Sequence, residues 1–336
     1  MALRNTPIGL LLVNLGTPEA PDAGETRRFL AQFLSDRRVV EAPRVLWLPL
    51  LHGVILNTRP QKSAQAYARI WNRDTGEGPL KTITRLQAEK LDQAARSGAL
   101  GLGEIVVDYA MRYGAPSLER GIVGLMEKGC ERILVLPLYP QYAASTTATA
   151  FDEIARVLRG LRRQPTLRFA PPYYDHPAYI EALALELRSR LAALDFEPQT
   201  IVASFHGLPQ FQIDKGDPYK VQCETTARLL REALGWDETR LRLSYQSRFG
   251  RARWIWPYTK DVVIGLARQG VRRLAIVAPG FSADCLETIE ELGHEIRDDF
   301  LAAGGEKFAR FPCLNDSEAG MKLIETLARR ELSGWA

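Results

Sequence analysis

The chain has 336 residues, and 46% of them are apolar, which is enough to fill the cores of two average domains and excludes a largely disordered protein. Its 44 basic and 40 acidic side chains give a net charge of +4 and are mostly intermixed along the chain. Because nucleic-acid binding needs a concentrated stripe of Lys and Arg, we predict no nucleic-acid partner.

Short apolar or β-branched segments alternate with longer amphipathic ones. Strands are predicted near 8–15, 104–110, 132–138, 166–170, 200–205, 241–245, 272–278 and 307–311, with helices between most of them. This alternation is typical of parallel sheets covered by helices on both faces. The predicted fold class is α/β, with two similar doubly wound Rossmann-like domains of about four strands each. One large sheet or a barrel would use the same elements.

A proline-dense segment, 169–177, lies halfway along the chain and is predicted to be the crossing between the two domains. Residues 1–170 are assigned to the first domain and 171–315 to the second. The last predicted helix, 316–331, lies in the segment 316–336, which we assign back to the first domain.

The N-terminal apolar run, 8–13, is too short for a spanning helix and is not followed by a cleavage pattern, so we expect a cytoplasmic protein. The most apolar stretch is 45–56, which is interrupted by Pro49 and Gly53. It is too short to cross a bilayer. It is either a surface segment that can touch a membrane or a helix buried under the first domain.

His206 directly follows the apolar run 200–205, where a strand is predicted to end. Ligands of α/β proteins bind at that edge of the sheet, and an imidazole can accept a proton or bind a metal near neutral pH. Gly207 permits a close backbone approach, and Pro209 stiffens the exit of the chain. The alternative is a structural histidine that is hydrogen-bonded to a carbonyl group.

A column of carboxylates follows a later strand, 274–278. Glu287, Glu291 and Glu295 are spaced by four residues, which places them on one face of a helix, where like charges repel by a few tenths of a kcal/mol per pair. The column is either a solvated acidic face near a helix N-terminus or, with Asp284 beside it, a path for protons or cations.

Six segments in chain order resemble motifs of the ferrochelatase family. One contains His206 and another contains Glu287. The full set lies at 13–18, 111–113, 138–142 with 145–147, 204–209 with 214–219, 246–250 leading to Trp254, and 281–288. They span nearly the whole chain, and several motifs in this order are more specific than any single one.

The resemblance implies a lyase that inserts ferrous iron into protoporphyrin IX and releases two protons, the last step of haem biosynthesis. It implies that His206 and Glu287 are catalytic and metal-contacting residues on opposite sides of the macrocycle. Asp284, Glu291 and Glu295 would relay protons outward or metal inward, and the side that delivers iron stays open. Residues implied to contact the porphyrin are Leu15, Arg59, Arg112, Tyr139, Trp254 and Phe281.

In family members that use protoporphyrin, the position of 45–56 is a hydrophobic lip over the pocket, and in those that use coproporphyrin it is less apolar. The resemblance therefore favours protoporphyrin. It also implies a transient contact of this lip with the inner face of the cell membrane.

The four cysteines are widely separated and include no CxxC pair, which argues against a zinc site and a disulfide framework. Some ferrochelatases hold an iron–sulfur cluster with cysteines near the C-terminus, where this chain has none, and Ala144 replaces a cysteine of a cluster-bearing relative. We predict no cluster and no permanently bound cofactor, with iron as a substrate. Cys285 replaces a histidine of many relatives and is either a soft metal ligand or a buried filler.

Three other functions use similar features. A cobalt chelatase would resemble this chain in fold but usually offers paired histidines on the metal side. A non-catalytic porphyrin or haem carrier needs pocket walls but no carboxylate relay. A nucleotide-binding enzyme lacks support, because no GxGxxG or Walker sequence follows the first strand.

Overall fold

A computed structural model describes residues 6–101, 103–250 and 252–335. In these ranges, eight strands form two parallel four-stranded sheets. The first sheet contains β1 (Ile8–Gly16), β2 (Ile105–Tyr113), β3 (Arg132–Pro137) and β4 (Thr166–Phe169). The second contains β5 (Thr200–His206), β6 (Leu241–Gln246), β7 (Arg273–Val277) and β8 (Lys307–Arg310). All eight predicted strands are present.

Helices connect most of the strands. The α-helices are α1 (Ala23–Ser35), α2 (Arg44–Leu50), α3 (Leu56–Ile70), α4 (Pro79–Arg96), α5 (Leu118–Glu127), α6 (Thr149–Gly160), α7 (Pro177–Ala192), α8 (Gln210–Asp214), α9 (Tyr219–Leu234), α10 (Thr259–Arg268), α11 (Ile296–Ala302) and α12 (Glu318–Leu332). Segments with π-helical hydrogen bonding lie at Leu51–Ile55, Ala144–Ala148 and Glu287–Glu295.

The strand order is β2-β1-β3-β4 in the first sheet and β6-β5-β7-β8 in the second, and neighbouring strands are parallel. In each sheet the earliest strand lies between the next two, so the chain leaves it first towards one edge and later towards the other. This is the switch point of a doubly wound sheet, where a crevice opens at the carboxyl ends of the strands. The predicted fold class is confirmed.

Each sheet has its own hydrophobic core. The central strands β1 and β5 are almost entirely buried, which explains why they are continuous apolar runs instead of alternating ones. In the first core Leu11 and Ile133 of the sheet pack with Ile154 of α6. In the second, Ile276 of β7 packs with Phe300 of α11.

The chain divides into two compact units. The first unit comprises Met1–Leu138, Ala144–Pro171 and Ile324–Ala336, and the second comprises Tyr139–Ala143 and Pro172–Leu323. This division differs from the predicted boundaries in the short segment 139–143 and in the first part of α12. The segment 139–143 belongs to the second unit because Pro140 accepts a backbone hydrogen bond from Tyr173 at 3.0 Å and the backbone N–H of Tyr142 donates to the Gln222 side chain at 2.7 Å.

The apolar stretch 45–56, which we call the lip, covers α2, the π-helical turn after it and the first residue of α3. Leu51 and Leu56 are buried in a cluster with Phe29. Val45 and Leu46, in contrast, are 84% and 72% exposed. The alternative of a fully buried helix is therefore wrong, because only one side of the lip packs inward. Within the described ranges, no helix has both the length and the hydrophobicity to cross a membrane.

Candidate active site

His206 is the last residue of β5 and is half-buried. Its Nδ1 lies 2.6 Å from the carbonyl oxygen of Gly207. A carbonyl oxygen can only accept a hydrogen bond, so Nδ1 carries the hydrogen in the neutral ring. The lone pair of the neutral imidazole is then on Nε2, which makes this nitrogen the proton acceptor or metal ligand.

The residue after His206 must be glycine. A Cβ atom added to Gly207 would lie 2.7 Å from the backbone oxygen of Gln246 and 3.1 Å from the ring of Trp254. The close backbone approach predicted from the sequence is therefore present, with the indole as one of the neighbours.

The glutamate column lies on a π-helix, Glu287–Glu295, which continues as α11. The sequence predicted a regular helix, because a spacing of four residues returns close to one face in either geometry. The π form changes the hydrogen bonds from i→i+4 to i→i+5, and such turns are rare and are often found at functional sites.

Gln246 connects the strand of His206 with the helix of Glu287. It is the Cα partner of His206 across β5 and β6, and its amide nitrogen donates to the backbone oxygen of Glu287 at 3.0 Å. Its amide oxygen accepts from the buried hydroxyl of Ser204 at 2.8 Å. His206 and the half-buried Glu287 are therefore brought to the carboxyl end of one sheet, within the second unit.

Glu291 lies between Glu287 and the exposed Glu295 along the helix. Ser247 donates its backbone N–H to one carboxylate oxygen of Glu291 at 2.7 Å and its hydroxyl to the other at 2.5 Å. Burial raises the pKa of Glu291, and the negative charge of Glu287 adds to this rise. The hydrogen bonds from Ser247 and the charge of His206 act in the opposite direction and lower this pKa. The charges of His206 and Glu287 therefore act on the pKa of Glu291 in opposite directions.

Asp284 is placed differently from the predicted relay. It is buried, and one carboxylate oxygen accepts from Arg310 at 2.7 Å and from the Thr288 hydroxyl at 2.7 Å. The other oxygen accepts from the side chain of Asn315 at 2.7 Å. Because this buried carboxylate is paired with the Arg310 guanidinium, Asp284 anchors the loop before the π-helix.

Three of the predicted porphyrin-contacting residues belong to the second unit, namely Tyr139, Trp254 and Phe281. All three are half-buried. Trp254 forms a backbone bridge with Pro209, in the loop that follows His206, and Phe281 packs against the core of its sheet. Trp254 is thus held next to the histidine loop by its main chain as well as by its ring.

The other three, Leu15, Arg59 and Arg112, belong to the first unit. Leu15 is half-buried against the cluster that includes Leu51, and Arg59 is exposed on α3. The largely buried guanidinium of Arg112 donates to Asp36 at 2.6 Å and to the Thr149 hydroxyl at 2.7 Å. It is therefore part of an internal network and not an isolated surface ion pair.

The Asp36 carboxylate is stabilised by this network. Burial by itself would raise the pKa of Asp36, but hydrogen bonds from Thr149, the Arg38 backbone and Tyr113, together with the charge of Arg112, lower it below its ordinary value. Asp36 is therefore ionised at neutral pH and holds Arg112 in place.

Cys285 is buried, and burial raises the pKa of its thiol well above the ordinary value. A protonated thiol is a poor metal ligand, which favours the interpretation of Cys285 as a buried filler. Among the side chains that the structure describes, no group of three or more His, Cys, Asp or Glu residues could hold a metal ion.

Gln246 and Ser247 are the functional candidates that the sequence did not reveal. Both lie in the segment 246–250, which resembles a ferrochelatase motif, but the resemblance implies no role for either residue. Their position at the carboxyl end of β6, beside the end of β5, was the available signal, because polar residues at this edge of a parallel sheet face the same crevice.

Comparison with known proteins gives a consistent result. The sequence model of one family, Ferrochelatase, matches residues 7–332. A ferrochelatase of Rhodopseudomonas palustris (strain TIE-1) is 56% identical over 329 residues, which cover 98% of this chain and 94% of the relative. Ferrochelatases of Bradyrhizobium sp. and Brucella anthropi are 54% and 52% identical over 98% of this chain, covering 92% and 93% of their own lengths.

Solved structures share the fold at low sequence identity. SirB from Bacillus subtilis with Fe3+ is 13% identical and superposes with a TM-score of 0.58, over 98% of this chain and 97% of its own. CbiX, described as the terminal enzyme of sirohaem biosynthesis in denitrifying bacteria, is 12% identical with a TM-score of 0.50, over 97% of this chain and 100% of its own. At this identity the likeness concerns the fold alone.

Proposed function

This chain belongs to the ferrochelatase family, whose members insert iron into a porphyrin to form haem, and we propose that His206 and Glu287 act on the ring nitrogens of protoporphyrin IX during that insertion. The observation that carries the proposal is the group formed by His206, Glu287 and Glu291. A hydrogen bond directs the basic nitrogen of the imidazole away from its own backbone, and Gln246, paired with His206, holds the backbone oxygen of Glu287.

The reaction replaces two N–H hydrogens of the porphyrin by one ferrous ion, so two protons must leave the ring. The Nε2 lone pair of His206 can accept a proton from a pyrrole nitrogen, and the carboxylate of Glu287 can accept the other or contact the iron. We propose that these two groups lie on opposite sides of the macrocycle, which is the arrangement that the family resemblance implies.

We propose that the glutamates then carry protons outward. Glu287 is half-buried, Glu291 has a raised pKa, and Glu295 is exposed, so the series runs from the site to water. A carboxyl group with a raised pKa binds a proton more readily than an ordinary glutamate, which suits an intermediate position in a proton relay. We propose that the relay consists of these three residues and excludes Asp284, whose buried carboxylate is paired with Arg310.

We further propose that the lip collects an apolar porphyrin at a membrane surface. Val45, Leu46, Leu50 and Val54 expose between 46% and 84% of their surface, which matches an interfacial segment whose apolar side meets lipid headgroups or an apolar ligand. In the proposed complex, Leu15, Tyr139, Trp254 and Phe281 provide apolar contacts, and Arg59 provides a cation for a propionate. Iron is a substrate here, and no resident cofactor is part of the proposal.

The test is an anaerobic assay of the purified protein with ferrous iron, followed by the absorbance of the porphyrin. The proposal predicts metallation of protoporphyrin at a higher kcat/KM than of coproporphyrin. A carrier would instead bind both porphyrins without metallating either. Glu287→Gln separates the two cases, because it would leave a carrier's binding intact and would greatly reduce insertion. Equal rates for both porphyrins would contradict the proposed preference.

A further inference from the structure

Ser247 holds Glu291 with two donors from a single residue. Its backbone N–H bonds to one carboxylate oxygen at 2.7 Å and its hydroxyl bonds to the other at 2.5 Å. Because the two bonds are to different oxygens, they fix both the position of the carboxylate and the rotation of its plane.

This geometry depends on an unusual backbone conformation. The φ angle of Ser247 is +63°, in the left-handed region that residues other than Gly, Asn and Asp seldom occupy. Such conformations persist where the surroundings impose them and often occur at functional sites. At Ser247 the surroundings include the carboxylate itself, since it accepts both donors.

Ser247 follows a residue, Gln246, that is fixed by a buried network of hydrogen bonds. Gln246 is buried and is held by the Ser204 hydroxyl, which also bonds to the Thr259 hydroxyl at 2.8 Å. Thr259 in turn lies 2.9 Å from the buried hydroxyl of Ser244. From this base Gln246 holds the backbone oxygen of Glu287. Gln246, the last residue of β6, and Ser247, which follows it, therefore hold successive turns of the π-helix. Gln246 binds the backbone carbonyl group of Glu287, and Ser247 binds the carboxylate of Glu291.

We propose that Ser247 is a positioning residue for iron insertion, which fixes the Glu291 carboxylate in the orientation needed to exchange protons with the Glu287 side of the site. The inference rests on the proposed function of the glutamate series. Ser247 does not act on the porphyrin or iron itself but acts through Glu291.

The test compares Ser247→Gly, Ser247→Asn and Glu291→Gln in the anaerobic assay. Glycine removes the hydroxymethyl side chain, keeps the backbone N–H donor and suits the positive φ, so the protein should fold, and kcat should fall by about 10-fold with an unchanged KM for porphyrin. Asparagine tolerates the left-handed region and restores a side-chain donor, so it should recover part of the lost kcat. Added to Glu291→Gln, the glycine variant should cause no further loss.

Gly250→Ala is the matched control. Gly250 also has a positive φ, +71°, in the same loop, and a Cβ atom there would meet nothing within 4 Å. The substitution Gly250→Ala should strain the loop backbone and leave kcat close to the wild-type value. A wild-type kcat for Ser247→Gly beside an impaired Glu291→Gln would overturn the inference alone. An equal loss in Gly250→Ala would also overturn it, because general loop distortion would then be sufficient. A wild-type kcat for Glu291→Gln would overturn both the relay and this inference.

Discussion

The chemistry of His206 is set by one neighbouring atom. Since the Gly207 carbonyl accepts the Nδ1 hydrogen, Nε2 is the basic nitrogen of the neutral ring. We predict that His206→Ala lowers kcat for ferrous insertion by about 10²-fold or more, the usual contribution of a positioned general base. Stopped-flow absorbance under anaerobic conditions measures it.

His294→Ala provides the control for this substitution, because His294 is exposed near the end of the same π-helix. It should retain wild-type kcat. Equal and small effects of the two substitutions would mean that His206 is a structural residue, as the alternative interpretation of the sequence holds.

Single residues were only partly predictable. The glycine after His206 predicted a close backbone approach, and this approach is present, because a Cβ atom at Gly207 would lie 2.7 Å from the backbone oxygen of Gln246. The same kind of reasoning did not reveal the partners of Asp284, because Arg310 and Asn315 are 26 and 31 residues away in sequence. Whether a carboxylate is engaged by distant cations cannot be read from local spacing.

At the level of elements, Asp36 joins the end of α1 to β2 and α6. Its ionised form is stabilised in the folded state, so its pKa is lowered. A lowered pKa gives stability that is present above the ordinary Asp value of about 3.9 and is lost as the pH falls through the folded-state value. Asp36→Asn should therefore reduce the free energy of unfolding at pH 7 by about 2–4 kcal/mol, because it leaves Arg112 largely buried without this partner.

Denaturant unfolding at several pH values tests this prediction. The difference between wild type and Asp36→Asn should shrink below about pH 4, where the wild-type carboxylate also loses its charge. Asp152→Asn is the control, since Asp152 pairs with Arg38 on an exposed surface and should contribute less than about 1 kcal/mol. A difference that stays constant down to pH 2 would show that charge is not the cause.

The lip exposes large apolar side chains, among them Val45 and Leu46, to the solvent. Replacing both Val45 and Leu46 by serine should change the free energy of unfolding by less than about 0.5 kcal/mol per site, because both side chains are exposed. It should nevertheless weaken binding to lipid vesicles and slow insertion into vesicle-bound protoporphyrin. Vesicle co-sedimentation and the insertion assay measure the two effects.

Leu185→Ser is matched to this change, since Leu185 is 57% exposed on α7. It should leave both vesicle binding and insertion unchanged. Wild-type vesicle binding by the lip variant would remove the membrane contact from the proposal.

The sequence predicted the lip as an apolar segment and the glutamate helix as a helix, but the details of each needed the structure. The apolar run could not show that Leu51 packs inward while Val45 stays exposed. The four-residue spacing of the glutamates could not distinguish α from π hydrogen bonding. These properties depend on which surfaces the rest of the fold presents to each element.

At the level of the whole molecule, the alternation of strands and helices predicted two doubly wound sheets, and the two parallel four-stranded sheets confirm it. The strands could be predicted from the sequence because buried parallel strands are apolar throughout, as in β1 and β5. The assignment of 139–143 to the second unit was not predictable, because it depends on hydrogen bonds of this segment to Tyr173 and Gln222.

We propose that His206 and Glu287 act together on the nitrogens of one porphyrin. A crystal structure of the protein with metal-free protoporphyrin tests it most directly. We expect the Nε2 atom of His206 within about 3 Å of a ring nitrogen, or linked to it through one water, and the Glu287 carboxylate within similar reach from the other side. A porphyrin bound away from both side chains, or a His206 ring turned so that Nε2 does not face the porphyrin, would contradict the proposed roles of His206 and Glu287.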